Sequence, residues 1–79
     1  SLGNIEKALI SYQIIEEDWG YDILADDALY KRAKIYDDIL NDSDLAMQLY
    51  EKILLEHNSS IYVTDSRKRF RYLRGDNFK

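Results

Sequence analysis

Residues 26–58, DDALYKRAKIYDDILNDSDLAMQLYEKILLEHN, read as two helices joined by a short polar turn. In the second, Ala46, Leu49, Tyr50, Ile53 and Leu54 fall at i, i+3, i+4, i+7 and i+8, the spacing that gathers apolar side chains on one face of a helix. In the first, Ala25, Ala28, Leu29, Ala33, Tyr36 and Leu40 line one side. The small side chains there let a neighbouring helix come close, and the bulky ones fill the groove beside it. Asp22 stands where the first helix needs an N-cap, and Asn41, Asp42, Ser43 and Asp44 form the turn and the next cap. The prediction is a helical hairpin, its third helix running from about Ser43 to His57.

Working outward, the chain matches itself at a shift of 38: Ala8 falls on Ala46, Tyr12 on Tyr50, Ile15 on Ile53, Ile23 on Ile61 and Asp27 on Asp65. A fixed period of roughly 20–50 residues marks stacked supersecondary units, none of which buries its apolar face alone. The first helix is expected from about Ile5 to Glu17, capped by Asn4 with Glu6 in its first turn. Its stripe is Ile5, Ala8, Leu9, Tyr12 and Ile15. Gly20 is expected to end it in the left-handed conformation, with Trp19 and Tyr21 covering the turn. Asn58, Ser59 and Ser60 make a further turn, in which Ser60 falls on the capping position of Asp22. A fourth helix is expected from Ile61 to about Arg74, with Val63, Ser66, Phe70 and Leu73 inward and Gly75 as its stop. Beyond Ser66 the match fades, with Leu29 falling on Arg67 and Ala33 on Arg71, as expected of a terminal unit whose outer face meets water.

Composition narrows the chemistry. With 79 residues the chain is one domain at most, and a core of that size rarely contributes more than ~3–5 kcal/mol. There is no cysteine and a single histidine, His57, which excludes disulfides, thiolate chemistry and the usual zinc constellations. Proline is absent and the charged fraction is 33%, a balance suited to helices and unsuited to a flexible linker. No window approaches ~20 apolar residues, so no membrane span is read here. Because the chain opens on Ser1 and enters a helix pattern almost at once, a segment of a longer polypeptide is expected, and no localisation follows.

Candidate sites are weighed against plain structural roles. The pairs Asp26/Asp27 and Asp37/Asp38 have the residue type of an acid/base or metal site, but neighbours on a helix diverge by about 100° and no histidine or cysteine is expected near them, so a solvated face is expected. His57, near the end of the third helix, is read as a cation beside exposed carbonyls. Arg74, Gly75 and Asp76 spell an adhesive tripeptide, with the glycine where a helix must stop. No Gly-rich phosphate loop or nucleophile motif occurs, so the reading is non-catalytic, without metal or cofactor. Net charge is −4 but unevenly placed: through Asn58 there are 5 Lys/Arg against 13 Asp/Glu, giving −8, and from Ser59 on 6 against 2, giving +4. Arg67, Lys68, Arg69, Arg71 and Arg74, interleaved with Phe70 and Tyr72, are the residues of an alternative reading, binding of nucleic acid or another polyanion.

At this point the residues resemble tetratricopeptide repeats. Leu29, Ala33 and Tyr36 match the first-helix positions of that family and Ala46, Tyr50 and Ile53 the second, while Gly3, Asn4, Ala8, Tyr12 and Ile15 match the second helix of an earlier repeat. LADDALY together with SIYVTDSRKRFRYLRGD further resembles the carboxy-terminal end of large multi-repeat bacterial proteins. The chain departs from the pattern at Arg32, where an aliphatic residue is usual, at Asn58, where proline commonly closes the unit, and in a period longer than ~34. The resemblance implies an all-α fold of four helices in antiparallel hairpins stacked as an α-solenoid. Residues 1–20 would be the second helix of a preceding repeat, 21–58 a full repeat and 59–79 a capping helix. It further implies a scaffold for a protein or peptide partner, met through Asp27, Tyr30, Lys34, Asp37 and Asp38 on the displayed face of the first helix of the pair. Ile10 and Ile14 lie one turn apart where the matching helix has Gln48 and Lys52. They are expected to meet a preceding repeat and, uncovered, to support a weak homodimer.

Overall fold

The computed structural model describes residues 1–20 and 22–75. Within them the fold is all-helical, without strands: α1 (Leu2–Asp18), α2 (Ile23–Lys34) running directly into a single π-helical turn (Ile35–Ile39), α3 (Ser43–Glu56) and α4 (Val63–Arg74). Local chemistry sets most of these limits. Asp22 Oδ1 accepts from the Leu24 N–H at 2.9 Å and Asp42 Oδ1 from the Leu45 N–H at 3.1 Å, each satisfying an otherwise orphaned donor at a helix start. At the far end, Gly75 adopts φ 101° and stops α4, as its lack of a Cβ allows.

Several boundaries differ from those expected. α1 begins a turn earlier than Asn4, because Ser1 Oγ accepts from the Asn4 N–H at 3.4 Å and so takes the capping role itself. Gly20 is not left-handed: α1 ends through Trp19 at φ −123°, and the Asp22 N–H closes the turn on the Trp19 carbonyl at 2.7 Å. Trp19 therefore holds this turn through its backbone while its side chain remains exposed; Tyr21 lies outside the described residues. α4 starts at Val63 rather than Ile61, yet Ser60 Oγ accepts from the Tyr62 N–H at 3.1 Å, the same i to i+2 bond that Asp22 makes one repeat earlier. Leu40 is exposed instead of inward. The π turn is the cause: its Leu40 N–H bonds the Ile35 carbonyl five residues back at 3.0 Å, and the wider turn swings Leu40 off the apolar row. Asn41 follows at φ 54°, a left-handed position that asparagine tolerates.

Long-range pairs fix the directions of the helices. His57 at the end of α3 meets Asp26 at the start of α2, while Tyr50 reaches Asp37 beyond the other end of α2, so these two rods run antiparallel. Between α2 and α4 the pairs advance together, Asp27 with Tyr62, Tyr30 with Asp65 and Asp37 with Arg69, so these two run parallel. The core sits where the three meet: Leu29, Ala33, Ala46, Leu49, Tyr50 and Ile53 are buried, with Tyr36, Tyr62, Val63, Phe70 and Leu73 packed against them. Burying a side chain such as Leu29 or Ile53 contributes about 1.5–3 kcal/mol. α1 packs chiefly on α2 and contributes no fully buried residue. Its Glu16 grips Arg32 of α2 through Nε at 2.6 Å and Nη2 at 2.9 Å, which explains a charged side chain where an aliphatic one was expected. Among the described residues no helix is long and apolar enough to cross a membrane.

Candidate functional site

On α2 and the π turn that continues it, Asp27, Tyr30, Lys31, Lys34 and Asp38 recur at helical spacing on one side. The i, i+4 pairs Lys31–Asp27 at 2.9 Å and Lys34–Asp38 at 3.1 Å stripe that side with alternating charge. Alongside, Tyr62, Asp65, Arg69 and Tyr72 form a matching row at the start of and along α4. Parallel packing sets these two rows level with each other. The Tyr30 and Tyr62 rings stack with centroids 4.2 Å apart and planes 9° from parallel. Each phenol donates to the carboxylate of the other helix, Tyr62 to Asp27 at 2.5 Å and Tyr30 to Asp65. Further along, the Arg69 guanidinium lies 4.8 Å from the Tyr72 ring centre.

Beneath this face is a buried knot. Asp37, only 8% exposed, accepts from the Tyr50 hydroxyl at 2.8 Å and from Nε and Nη2 of Arg69, both at 2.8 Å. One carboxylate thus ties α2, α3 and α4 together with charge-assisted bonds. Burial alone would raise the Asp37 pKa, but the bonds from Arg69 and Tyr50 outweigh it and hold the carboxyl below its ordinary range. The Tyr62 hydrogen bond, seconded by Lys31, does the same for Asp27. The phenols shift the other way: burial and then Asp65 push Tyr30 up, burial and then Asp37 push Tyr50 up, and the bond to Asp27 pushes Tyr62 up. All three therefore stay neutral donors across the physiological range.

This arrangement corrects the sequence reading in several places. Asp27, Tyr30, Lys34 and Asp38 do share one accessible face, but Asp37 is buried beneath it and unavailable to a partner. The acidic pairs diverge as expected, but of the four only Asp38 is exposed to solvent. Asp26 Oδ1 lies 2.5 Å from Nδ1 of His57, Asp27 is engaged by Tyr62 and Lys31, and Asp37 is internal. His57 is the C-cap residue of α3, its backbone N–H bonding the Ile53 carbonyl at 2.9 Å, while its ring turns across to α2. In the basic helix, Arg69 is occupied by Asp37, while Arg67, Lys68, Arg71 and Arg74 are exposed, with the Arg74 guanidinium 5.0 Å from the Phe70 ring centre. Asp76 lies outside the described residues. Tyr62, Asp65 and Arg69 were not placed on the face beforehand, although the Asp27/Asp65 match and the paired spacings Asp-x-x-Tyr at 27–30 and Tyr-x-x-Asp at 62–65 carry the signal.

A separate cleft of about 160 Å³ opens at the other end of the hairpin, between Glu16, Gly20, Ala25, Leu29, Lys52, Glu56 and His57. Small-molecule sites are commonly ~300–1,000 Å³, and two of the residues lining this one are already engaged, Glu16 by Arg32 and His57 by Asp26. Among the described residues no group of three or more His, Cys, Asp or Glu side chains is placed to hold a metal ion. No protein-family model, no curated protein and no solved structure matches this chain.

Proposed function

We propose that this chain is a non-catalytic helical-repeat scaffold of the tetratricopeptide type, stacked as a short solenoid, that holds a protein or peptide partner. The observation that carries the reading is the α2–α4 face, where two stacked tyrosines are bracketed by the carboxylates of Asp27 and Asp65. Supporting it, the 38-residue sequence period recurs as physical equivalence, with α2 and α4 parallel and their entry turns closed by the same type of bond. Preordered aromatic surface beside fixed negative charge suits an extended or helical segment carrying lysine or arginine next to an apolar residue. The rings supply contact area at little entropic cost, and Asp38 and Asp65, both exposed, supply charge for a basic side chain.

Titration of the isotopically labelled chain with lysine- and arginine-containing peptides tests this. Amide shifts are expected to cluster on α2 and α4 and to vanish in a Tyr30→Ala/Asp38→Lys variant that keeps its helical spectrum. Shifts elsewhere, or binding unchanged in that variant, would sink the assignment. The exposed Arg67, Lys68 and Arg71 favour one second reading, polyanion binding by α4. Retention on heparin that falls steeply with salt and disappears in an Arg67→Ala/Arg71→Ala/Arg74→Ala variant would favour it.

A further inference from the structure

We propose that two copies of this chain associate through α1 as an antiparallel pair, Ile10 of each packing on Ile14 of the other and Lys7 of each facing Glu17 of the other. The inward side of α1 is settled: Ile5, Ala8, Leu9, Tyr12 and Ile15 are half-buried on the side that packs on α2. On the opposite side Ile10 is 59% and Ile14 51% exposed, and the equivalent positions of α3 are Gln48 and Lys52. Lys7, Ile10, Ile14 and Glu17 follow one another at spacings of three, four and three, the seam spacing by which two helices interlock side chains.

What selects a second copy is the order of the charges. The row is positive at one end, apolar in the middle and negative at the other, so it is complementary to its own reverse, as a two-fold interface requires. An antiparallel pair centred midway between Ile10 and Ile14 sets position 10 against 14 and 7 against 17 on both sides at once. A parallel pair would set Lys7 against Lys7 and Glu17 against Glu17. Neither Lys7 nor Glu17 has an ion pair among the described residues, so both are available. One turn before Lys7 the row continues in Gly3, which puts no side chain between the helices.

Sedimentation equilibrium of the 79-residue chain, up to ~1 mM, reads the association directly. A monomer–dimer equilibrium is expected, abolished in Ile10→Lys/Ile14→Lys with the helical spectrum unchanged, since neither side chain is buried. Lys7→Glu and Glu17→Lys each turn two exposed ion pairs repulsive and weaken the dimer by about tenfold. The combined Lys7→Glu/Glu17→Lys exchange restores it, because the swapped charges again face their opposites in the antiparallel register. A chain that stays monomeric throughout, as it would with this face reserved for another helix of a longer polypeptide or for a different protein, overturns the proposal. So does a dimer indifferent to the isoleucine changes, or a double exchange no better than the single ones.

Discussion

α1 and α3 carry the same residues at three matching inward positions and bury them to different depths. Ala46, Tyr50 and Ile53 are all 0% exposed, whereas Ala8, Tyr12 and Ile15 are half-buried. The side chains being identical, the difference lies in the flanks: α3 is held between α2 and α4, while α1 packs chiefly on α2. A second contrast completes the first. Leu29 and Ala33 of α2 are buried under α3, and their counterparts on α4, Arg67 and Arg71, are exposed. In the first contrast the sequence is kept and the neighbour is missing; in the second the sequence itself has changed where no neighbour comes. α4 is thus built to face water, and α1 is not.

The largest test of this difference is Asp37, which anchors α3 and has no counterpart on the other side, its equivalent position being Gly75. Asp37→Ala strands a partly buried guanidinium and a fully buried phenol, a loss of about 3–5 kcal/mol, comparable to the whole stability of so small a core. Loss of the helical circular dichroism signal at 25 °C is the expected outcome. A folded variant with an unchanged urea midpoint would show that the knot is dispensable. The same carboxylate sets an acid limit. Because its folded pKa is depressed, its contribution is fully present above the unfolded value of 3.8 and is lost as pH falls through the folded value. Thermal midpoints should therefore drop below that pH, and Asp27, also depressed, adds to the slope.

A smaller effect compares the two helices at one matched site. Ile53→Ala opens a cavity in a closed core and should cost about 2–5 kcal/mol, whereas Ile15→Ala removes a half-exposed side chain whose loss is about half as large. Urea denaturation of both variants measures the gap. Equal losses would mean that α1 is as deeply covered as α3.

How far the sequence could be read follows from the range of each interaction. The helices, the caps at Asp22 and Asp42 and the stop at Gly75 depend on residues within a turn or two of each other, and periodicity and side-chain chemistry disclose them. The small pair Ala28 and Ala33 is buried, as its place on the apolar row implies. Asp37 did not announce its burial, because its partners Tyr50 and Arg69 stand 13 and 32 residues away. The π turn, which no local residue advertises, also changed which side chains after Ala33 face inward. For the same reason His57 could be placed at the end of its own helix but its ring's partner, Asp26, could not be read, and Arg32 looked anomalous until Glu16 was brought beside it. On the α2–α4 face, helical spacing alone puts Asp27, Tyr30, Lys34 and Asp38 on one side but did not exclude the buried Asp37, and the half from α4 needed the parallel packing to be known.

The smallest effect has the opposite sign and isolates the repeat itself. Ala28 is 1% and Ser66 0% exposed, they occupy matched positions, and both allow a neighbouring helix to come close. Ser66 Oγ, however, is buried with no hydrogen-bond partner among the described residues. A buried hydroxyl left unpaired costs about 1–3 kcal/mol in desolvation, and serine is also a weaker helix former than alanine by up to about 0.5 kcal/mol. Ser66→Ala, which writes the residue of the first unit into the second, should therefore stabilise the chain by about 1 kcal/mol, raising the melting temperature by several degrees for a domain of this size. The reciprocal Ala28→Ser should cost a similar amount by placing an orphaned hydroxyl on the other helix. Because both positions are fully buried, opposite signs of similar size would establish that α2 and α4 are packed alike at this level. A loss of stability in Ser66→Ala would instead show that its hydroxyl is satisfied in solution by a bound water, and that the two packings differ there.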